Sequence, residues 1–209
     1  TSKVGQYVEI KNLEEFGNAL FIDHEIQVAE KDEKIYSSTF FKSSYDLSKK
    51  SNNVAIIGGG DGGVARECLE NNTNYIDWYE LDPEIVESCY RHLPKVCSKV
   101  KKSNSVNTFW GDAFESIKSI EDSKYDKIFV DLNDDQYCID LARKNMKGLK
   151  RILKPGGIIT AQVGSKDKKP KQVDNWCKVL EKSFGNVKIS GNYIPSFDCN
   201  WNFASSIMK

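Results

Sequence analysis

From residue 54 onward, apolar side chains gather in short runs at 54–57, 75–79, 106–110, 127–131 and 158–162, each the length of a β-strand. Between them lie stretches with helical spacing, at 64–70, 83–92, 113–119, 139–153 and 173–184. Strands and helices alternating on this scale build a parallel, doubly wound sheet. Two last apolar runs, 187–193 and 201–207, have no helix between them and predict a closing antiparallel pair. The start of the chain, up to about residue 41, has a different texture. Runs at 7–10, 19–22 and 26–29 partly alternate apolar and polar positions and are broken by the turn-like Phe16-Gly17-Asn18 and Asp23-His24-Glu25, which predicts a small antiparallel β unit. Residues 43–53, rich in Lys, Ser and Asn, read as a linker. The expected organisation is a β-hairpin unit with its linker over 1–50 and an α/β domain over 51–209.

Composition narrows the function classes. The 209 residues suit one domain with a small appendage. With 39% hydrophobic residues and a mean hydropathy of −0.53, the chain can bury a core. It has no run of some 20 apolar residues to span a bilayer, so no membrane association is expected. Lys and Arg number 30, as do Asp and Glu, and without net charge there is no field to hold a phosphate backbone; nucleic acid is not an expected partner. Six scattered cysteines have neither Cys-x-x-Cys pairing nor a histidine at metal-ligand spacing, so reduced thiols are expected. With no signal-peptide pattern at the N-terminus, the expected location is cytoplasmic.

The densest signal follows the strand at 54–57. Residues 56–64 read Ile-Ile-Gly-Gly-Gly-Asp-Gly-Gly-Val, five glycines between strand and helix. Glycine lets a backbone turn tightly and approach a ligand with no Cβ in the way. A structural turn needs one or two, whereas five point to a nucleoside cradle, with Gly58, Gly60 and Gly62 as candidate contacts. Glu80, in Tyr79-Glu80-Leu81-Asp82, ends the next strand at the spacing of roughly 20 residues where a carboxylate accepts both ribose hydroxyls. Asp61, inside the loop, would repel a pyrophosphate and stabilise a sulfonium or ammonium, which favours an S-adenosylmethionine-type ligand over a dinucleotide. Asp112 follows the third strand, placed either to accept an adenine amine or to cap the next helix.

The fourth strand ends in Asp131 and continues into Leu132-Asn133-Asp134-Asp135. In an open parallel sheet, ligands bind beyond the carboxyl ends of the strands, so Asp131 is expected to face the cleft of Asp61 and Glu80. Carboxylates gathered this way repel one another unless a metal or a polycation shares the site. This stretch has no histidine and no EF-hand pattern, which favours a polycation over a metal. The plain alternative for Asp134 and Asp135 is a solvated turn capping the following helix. The lysine-rich run 166–171 reads as a solvated loop, and His24 and His92 carry no partner pattern.

These residues resemble the polyamine aminopropyltransferases, the family of the spermidine and spermine synthases. The resemblance runs from Gln6 to the C-terminus. It rests on Phe16-Gly17-Asn18 with Ile26-Gln27, on Asp32-Glu33 followed by Tyr36, and on the 58–63 loop with Asp61. It continues through Glu80-Leu81-Asp82, Gly111-Asp112, Val130-Asp131, Leu153-Lys154-Pro155-Gly156-Gly157, Gln162, and Ile194-Pro195 ahead of Trp201 and Phe203. It implies a Rossmann-like sheet of the class I methyltransferase type, a homodimer, decarboxylated S-adenosylmethionine as co-substrate and a small polycationic amine as acceptor, with no prosthetic group or metal. By the family pattern, Gln6 and Glu80 contact the ribose or methylthio end of the donor, Asp112 its adenine and Asp61 its aminopropyl ammonium. Asp131 orients and deprotonates the attacking amine, Tyr36 assists it, and Gln162, Asp134 and Trp201 lie near the acceptor; for Trp201 a core position is the alternative, because it alternates with Phe203 along the last strand.

The sequence also departs from the family. Spermidine synthases usually carry Asp-Ser-Ser-Asp-Pro where this chain has Asp131-Leu132-Asn133-Asp134-Asp135. That aspartate-leucine step and Ile194-Pro195-Ser196-Phe197 are more similar to spermine synthase, which implies spermidine as acceptor and spermine as product, with putrescine as the alternative acceptor. Phe197 stands where the family commonly has tyrosine, and Cys199 where spermine synthase has an acceptor-binding glutamate. The residues leave two further readings open, an S-adenosylmethionine-dependent methyltransferase and a non-catalytic polyamine-binding protein.

Overall fold

In the computed structural model, which describes all 209 residues, the chain opens with three short antiparallel strands, β1 (Val8–Leu13), β2 (Gly17–Ile22) and β3 (Glu25–Ala29). The β2–β3 turn is tight because Asp23 and His24 both adopt positive φ, 50° and 69°. Helix α1 (Glu33–Tyr45) leads into β4 (Asn53–Gly58), α2 (Gly63–Glu70), β5 (Tyr75–Glu80), α3 (Pro83–His92), α4 (Pro94–Lys101) and β6 (Val106–Trp110). Then come α5 (Ala113–Ile117), β7 (Tyr125–Asp131), α6 (Gln136–Ile152), β8 (Leu153–Gly164), α7 (Pro170–Phe184), β9 (Lys188–Ile194), a 3-10 turn (Pro195–Phe197) and β10 (Cys199–Ile207).

Seven strands form the main sheet, in the order β6-β5-β4-β7-β8-β10-β9. The first five in that order are parallel, while β10 runs antiparallel to β8 and β9. This is the expected α/β doubly wound sheet with its closing antiparallel pair and a small N-terminal β unit. One core, with Ile139, Leu149 and Trp176, lies on the α6–α7 side; another, with Phe40, Phe41, Val64 and Trp78, lies on the α1–α2 side. Because helices cover both faces, β4 and β7 are buried on both sides; β4 reads as a continuous apolar run, while β7 buries Asp126 and Lys127 ahead of its apolar stretch. The strand order reverses between β4 and β7, and the register there pairs Gly58 with Asp131. Two expected site residues therefore meet at the crevice where such sheets bind ligands.

Two helices have no counterpart in the sequence pattern. Helix α1 buries Ser37, Ser43 and Ser44 along with Phe40 and Phe41, so serines interrupt its apolar face and the stretch expected as linker from residue 43 begins as helix. Its end is tied down from the sheet: Lys127, fully buried in β7, donates to Ser44 O at 3.3 Å and Ser48 O at 2.7 Å, a cation on helix-terminal carbonyls. Burial pushes that ammonium down to about 8. The second, α4, restarts at Pro94, whose fixed φ suits a first helical turn. No helix is long and apolar enough to cross a membrane.

Candidate active site

Beyond the carboxyl ends of β4, β5 and β7, roofed by β2 and β3, lies a cavity of about 470 Å³. Its wall brings together Gln6, Tyr36, Gly58, Gly60, Asp61, Glu80, Asp112, Asp131, Asp134, Gln162 and Trp201. Gly62, also expected as a contact, lies outside that wall. It stands at the N-cap of α2 with φ 79°, and its α-carbon faces Cys97 and Trp78, so it turns the chain into the helix. The wall also holds Glu25 and Asp135, which makes seven carboxylates, and it includes no Lys, Arg or His.

The glycine loop is clipped to the strands beside it. Gly58 has φ 78°, and a Cβ there would fall 2.3 Å from Asp131 O, so glycine is required at this crossing. Gly59 N donates to Asp131 O at 3.0 Å, and Trp78 Nε1 donates to Gly58 O at 2.7 Å. These bonds tie the loop to β5 and β7 and so position Asp61 relative to Asp131.

Tyr36 reaches from α1 to donate its hydroxyl to Asp131 Oδ1 at 2.6 Å. Burial pushes the Asp131 carboxyl up to about 6, and the Tyr36 hydrogen bond opposes that push. Burial also lifts the Tyr36 hydroxyl well above the usual phenol range, helped by the charge of Asp131 and then by Asp61 and Asp134. Asp61 is raised well above the usual carboxylate range, first by burial, then by Asp131 and Glu33. Gly63 N, which donates to Asp61 Oδ1 at 2.7 Å, and the Arg66 cation act in the opposite direction.

The donor side is less crowded. Burial pushes Glu80 up to about 7 against hydrogen bonds from Asp82 N and Leu81 N; the bond from Asp82 N to Glu80 Oε1 is 2.9 Å. Asp112 does cap α5, accepting from Phe114 N at 2.8 Å through Oδ1, and still lines the cavity. The two roles considered for it are therefore compatible. On the opposite side, the Gln162 amide is committed to protein partners. Its Nε2 donates to Leu132 O, and its Oε1 accepts from Gly164 N and from Trp201 Nε1, each at 3.1 Å. Gln162 and Trp201 thereby fix the turn that follows Asp131, and Trp201 is a wall residue while Phe203 is fully buried in the core. Asp135 caps α6 by accepting from Cys138 N at 2.7 Å, as the plain alternative holds, whereas Asp134 is buried and paired with Lys169.

Three supports were not legible as functional in the sequence. Glu33 accepts from Arg66 at 2.5 and 3.1 Å, and Arg66 also donates to Glu67 at 3.0 Å, all three residues being buried. This group backs the Asp61 turn. Asp32 bypasses the end of its own helix and accepts from Ser196 N at 2.7 Å and Ser196 Oγ at 3.0 Å, holding the 3-10 turn that carries Phe197 to the wall. Trp78 secures the glycine loop as described. The Asp32-Glu33-x-x-Tyr36 cluster was the available signal, since charged residues just before an aromatic on one helix suggest a tether, but their partners lie 33 and 164 residues away.

Comparison with known proteins places the chain in a family. The spermine/spermidine synthase domain family matches residues 33–209. The chain is similar to a polyamine aminopropyltransferase of Korarchaeum cryptofilum, 28% identical over 97% of this chain and 64% of that protein. It is likewise similar to two of Prochlorococcus marinus, 30% identical over 99% of this chain and 75% of the relative, and 32% identical over 96% and 72%. The chain thus spans about two thirds to three quarters of the length of these relatives. Among solved structures, a spermidine synthase in complex with the transition state analogue AdoDATO superposes with a TM-score of 0.92 at 18% identity, over all of this chain and 72% of that one. Spermidine synthase from Thermotoga maritima gives 0.88 at 17%, over all of this chain and 71% of that one. With the family matched over residues 33–209, the chain belongs to the spermine/spermidine synthase family.

Proposed function

We propose that the chain is an aminopropyltransferase that moves the aminopropyl group of decarboxylated S-adenosylmethionine to an amine of a polyamine, releasing methylthioadenosine. The observation that carries this reading is a wall of seven carboxylates with no basic side chain, in which Tyr36 bonds to Asp131 beside Asp61. Such a cavity suits a ligand pair that is cationic at both ends. An alkylamine resembles lysine, with a pKa of about 10.4, and is protonated at neutral pH, so it cannot attack carbon until it loses a proton. Asp131 holds the ammonium and accepts that proton, while Tyr36 fixes the carboxylate and keeps its basicity in check. The freed nitrogen attacks the aminopropyl carbon attached to sulfur. The carbon–sulfur bond breaks, its electron pair passes to the sulfonium, and the leaving group departs as a neutral thioether.

In this reading Asp61 binds the donor's ammonium, Gln6 and Glu80 its ribose or methylthio end, and Asp112 its adenine. The aspartate-leucine step at Asp131-Leu132 and the Ile194-Pro195 segment favour spermidine as acceptor, giving spermine. Incubation with the decarboxylated donor and either spermidine or putrescine, with methylthioadenosine quantified, tests both levels. Release with spermidine exceeding that with putrescine is expected. The reverse order overturns the acceptor assignment, and no release with either amine overturns the activity.

A further inference from the structure

Of the seven wall carboxylates, only Asp134 has a basic side chain against it. Lys169 Nζ stands 3.3 Å from Asp134 Oδ2 and is not itself a wall residue, so it meets the carboxylate from behind the cavity. Asp134 is held on that side by Gly164, whose absent Cβ would fall 2.8 Å from Oδ2. The lysine is positioned by its backbone: residue 169 is the N-cap of α7, and its N–H donates to Ser165 O at 2.8 Å.

The rest of the lysine run is also fastened to this side of the cavity. Lys168 Nζ donates to Phe197 O at 2.7 Å, Asp167 accepts from Asn200 Nδ2 at 3.0 Å, and Lys166 N donates to Asn202 Oδ1 at 2.9 Å. The stretch is exposed throughout 166–171, as expected of a solvated loop, and it also ties the end of β8 to the 3-10 turn and β10 and delivers one ammonium to one wall carboxylate.

We propose that Lys169 is a specificity-determining residue for the amine acceptor: by counter-charging Asp134 from outside the cavity, it weakens the hold on an acceptor's second ammonium. The inference rests on the polyamine reading given above. An acceptor whose reacting nitrogen lies at Asp131 brings its remaining positive charge into a field to which Asp134 contributes, since Asp134 acts on Tyr36 together with Asp131 and Asp61. A carboxylate that already has an ammonium at 3.3 Å attracts a second one less than a bare carboxylate does. The Lys169 side chain is 44% exposed, so the pair is weak and attenuates the second ammonium subsite without abolishing it.

Titration calorimetry of the whole chain with putrescine, spermidine and butylamine tests this, because butylamine has no second ammonium. Lys169→Met is expected to tighten putrescine and spermidine binding by about threefold to fivefold, the scale of an exposed ion pair, and to leave butylamine unmoved. Lys169→Arg should bind all three as the wild type does, and Lys169→Gln should repeat the Met result, which guards against a packing effect of one side chain. Equal tightening of butylamine overturns the proposal, because it reports only a general loss of positive charge. Unchanged or weaker binding of the two polyamines by both neutral variants also overturns it. If the wild type binds none of the three amines, the polyamine reading itself falls and this inference falls with it.

Discussion

Tyr36→Phe removes one oxygen and little else. The Tyr36 ring packs edge-on against Phe40, Phe197 and Phe203, with centroids 6.0, 6.2 and 5.1 Å away, so a phenylalanine keeps its place. What disappears is the 2.6 Å hydrogen bond to Asp131 Oδ1. A hydrogen bond to an ionised group contributes about 1.5–3 kcal/mol, and one pKa unit corresponds to about 1.4 kcal/mol. Asp131 already sits near about 6 with the tyrosine opposing its rise. Without that bond its carboxyl climbs by roughly one to two units, to neutrality or above. At pH 7 between about half and nine-tenths of the variant's Asp131 is then protonated and cannot accept the amine's proton, so kcat/KM falls by about twofold to tenfold and recovers as the pH is raised.

The assay is methylthioadenosine release between about pH 5.5 and 9.5 for both proteins with the same acceptor, so that the acceptor's own titration is common to the two profiles. The expected result is an acidic limb displaced upward by roughly one to two units with a plateau close to that of the wild type. A profile lowered by the same factor at every pH would refute the argument, because it would mean that the hydroxyl acts on the reaction by some route other than the basicity of Asp131.

Arg66→Met leaves Glu33 and Glu67 buried without their counter-charge, so urea unfolding should show a loss of about 3–5 kcal/mol; a loss below about 1 kcal/mol would show that the pair is not needed. Gly58→Ala places a methyl 2.3 Å from Asp131 O at φ 78°, and the strain alone costs about 1–3 kcal/mol, so the unfolding midpoint should drop together with activity; an unchanged midpoint would contradict the close approach. Glu80 has its carboxyl raised from 4.5 to about 7, so the folded chain keeps a proton that the unfolded chain has released. Its contribution therefore makes stability fall as pH rises through that window, by on the order of 3 kcal/mol. Glu80→Gln removes this term, and the variant should gain on the wild type between about pH 4.5 and 7; a constant difference across the window would refute the assigned shift.

Much of the fold was legible because the central strands are buried on both faces and leave short, mostly apolar runs, and because glycine, proline and aspartate punctuate them. Helix α3 matches its expected bounds of 83–92 for this reason: Asp82 caps it by accepting from Glu84 N at 3.0 Å, and Pro83 opens it. Helix α1 escaped because its buried face includes three serines and its termination depends on Lys127, more than 75 residues further along the chain. A lysine in mid-strand reads as solvent-facing by pattern, yet here it is fully buried because the end of a helix supplies its acceptors. Tertiary hydrogen bonding of that kind leaves no periodic trace.

The candidate site divides along a similar line. Residues whose role depends on position relative to a strand end, such as Asp61, Glu80, Asp112 and Asp131, were locatable because the topology of a parallel sheet gathers strand ends at one edge. Residues whose role depends on saturating another group were not. Gln162 was expected near the acceptor and does line the cavity, but its amide is spent on Leu132 O, Gly164 N and Trp201 Nε1. The same logic explains how seven carboxylates share one cavity in a chain with equal numbers of acids and bases. Two cations stand outside the wall: Arg66, ion-paired with Glu33 and Glu67, acts on Asp61, and Lys169 pairs with Asp134. Inside, burial pushes three of the carboxyls up, Asp131 to about 6, Glu80 to about 7 and Asp61 well above the usual range. A cation that enters such a cavity favours the ionised form of these three carboxyls, so binding of the ligand and release of their protons are coupled.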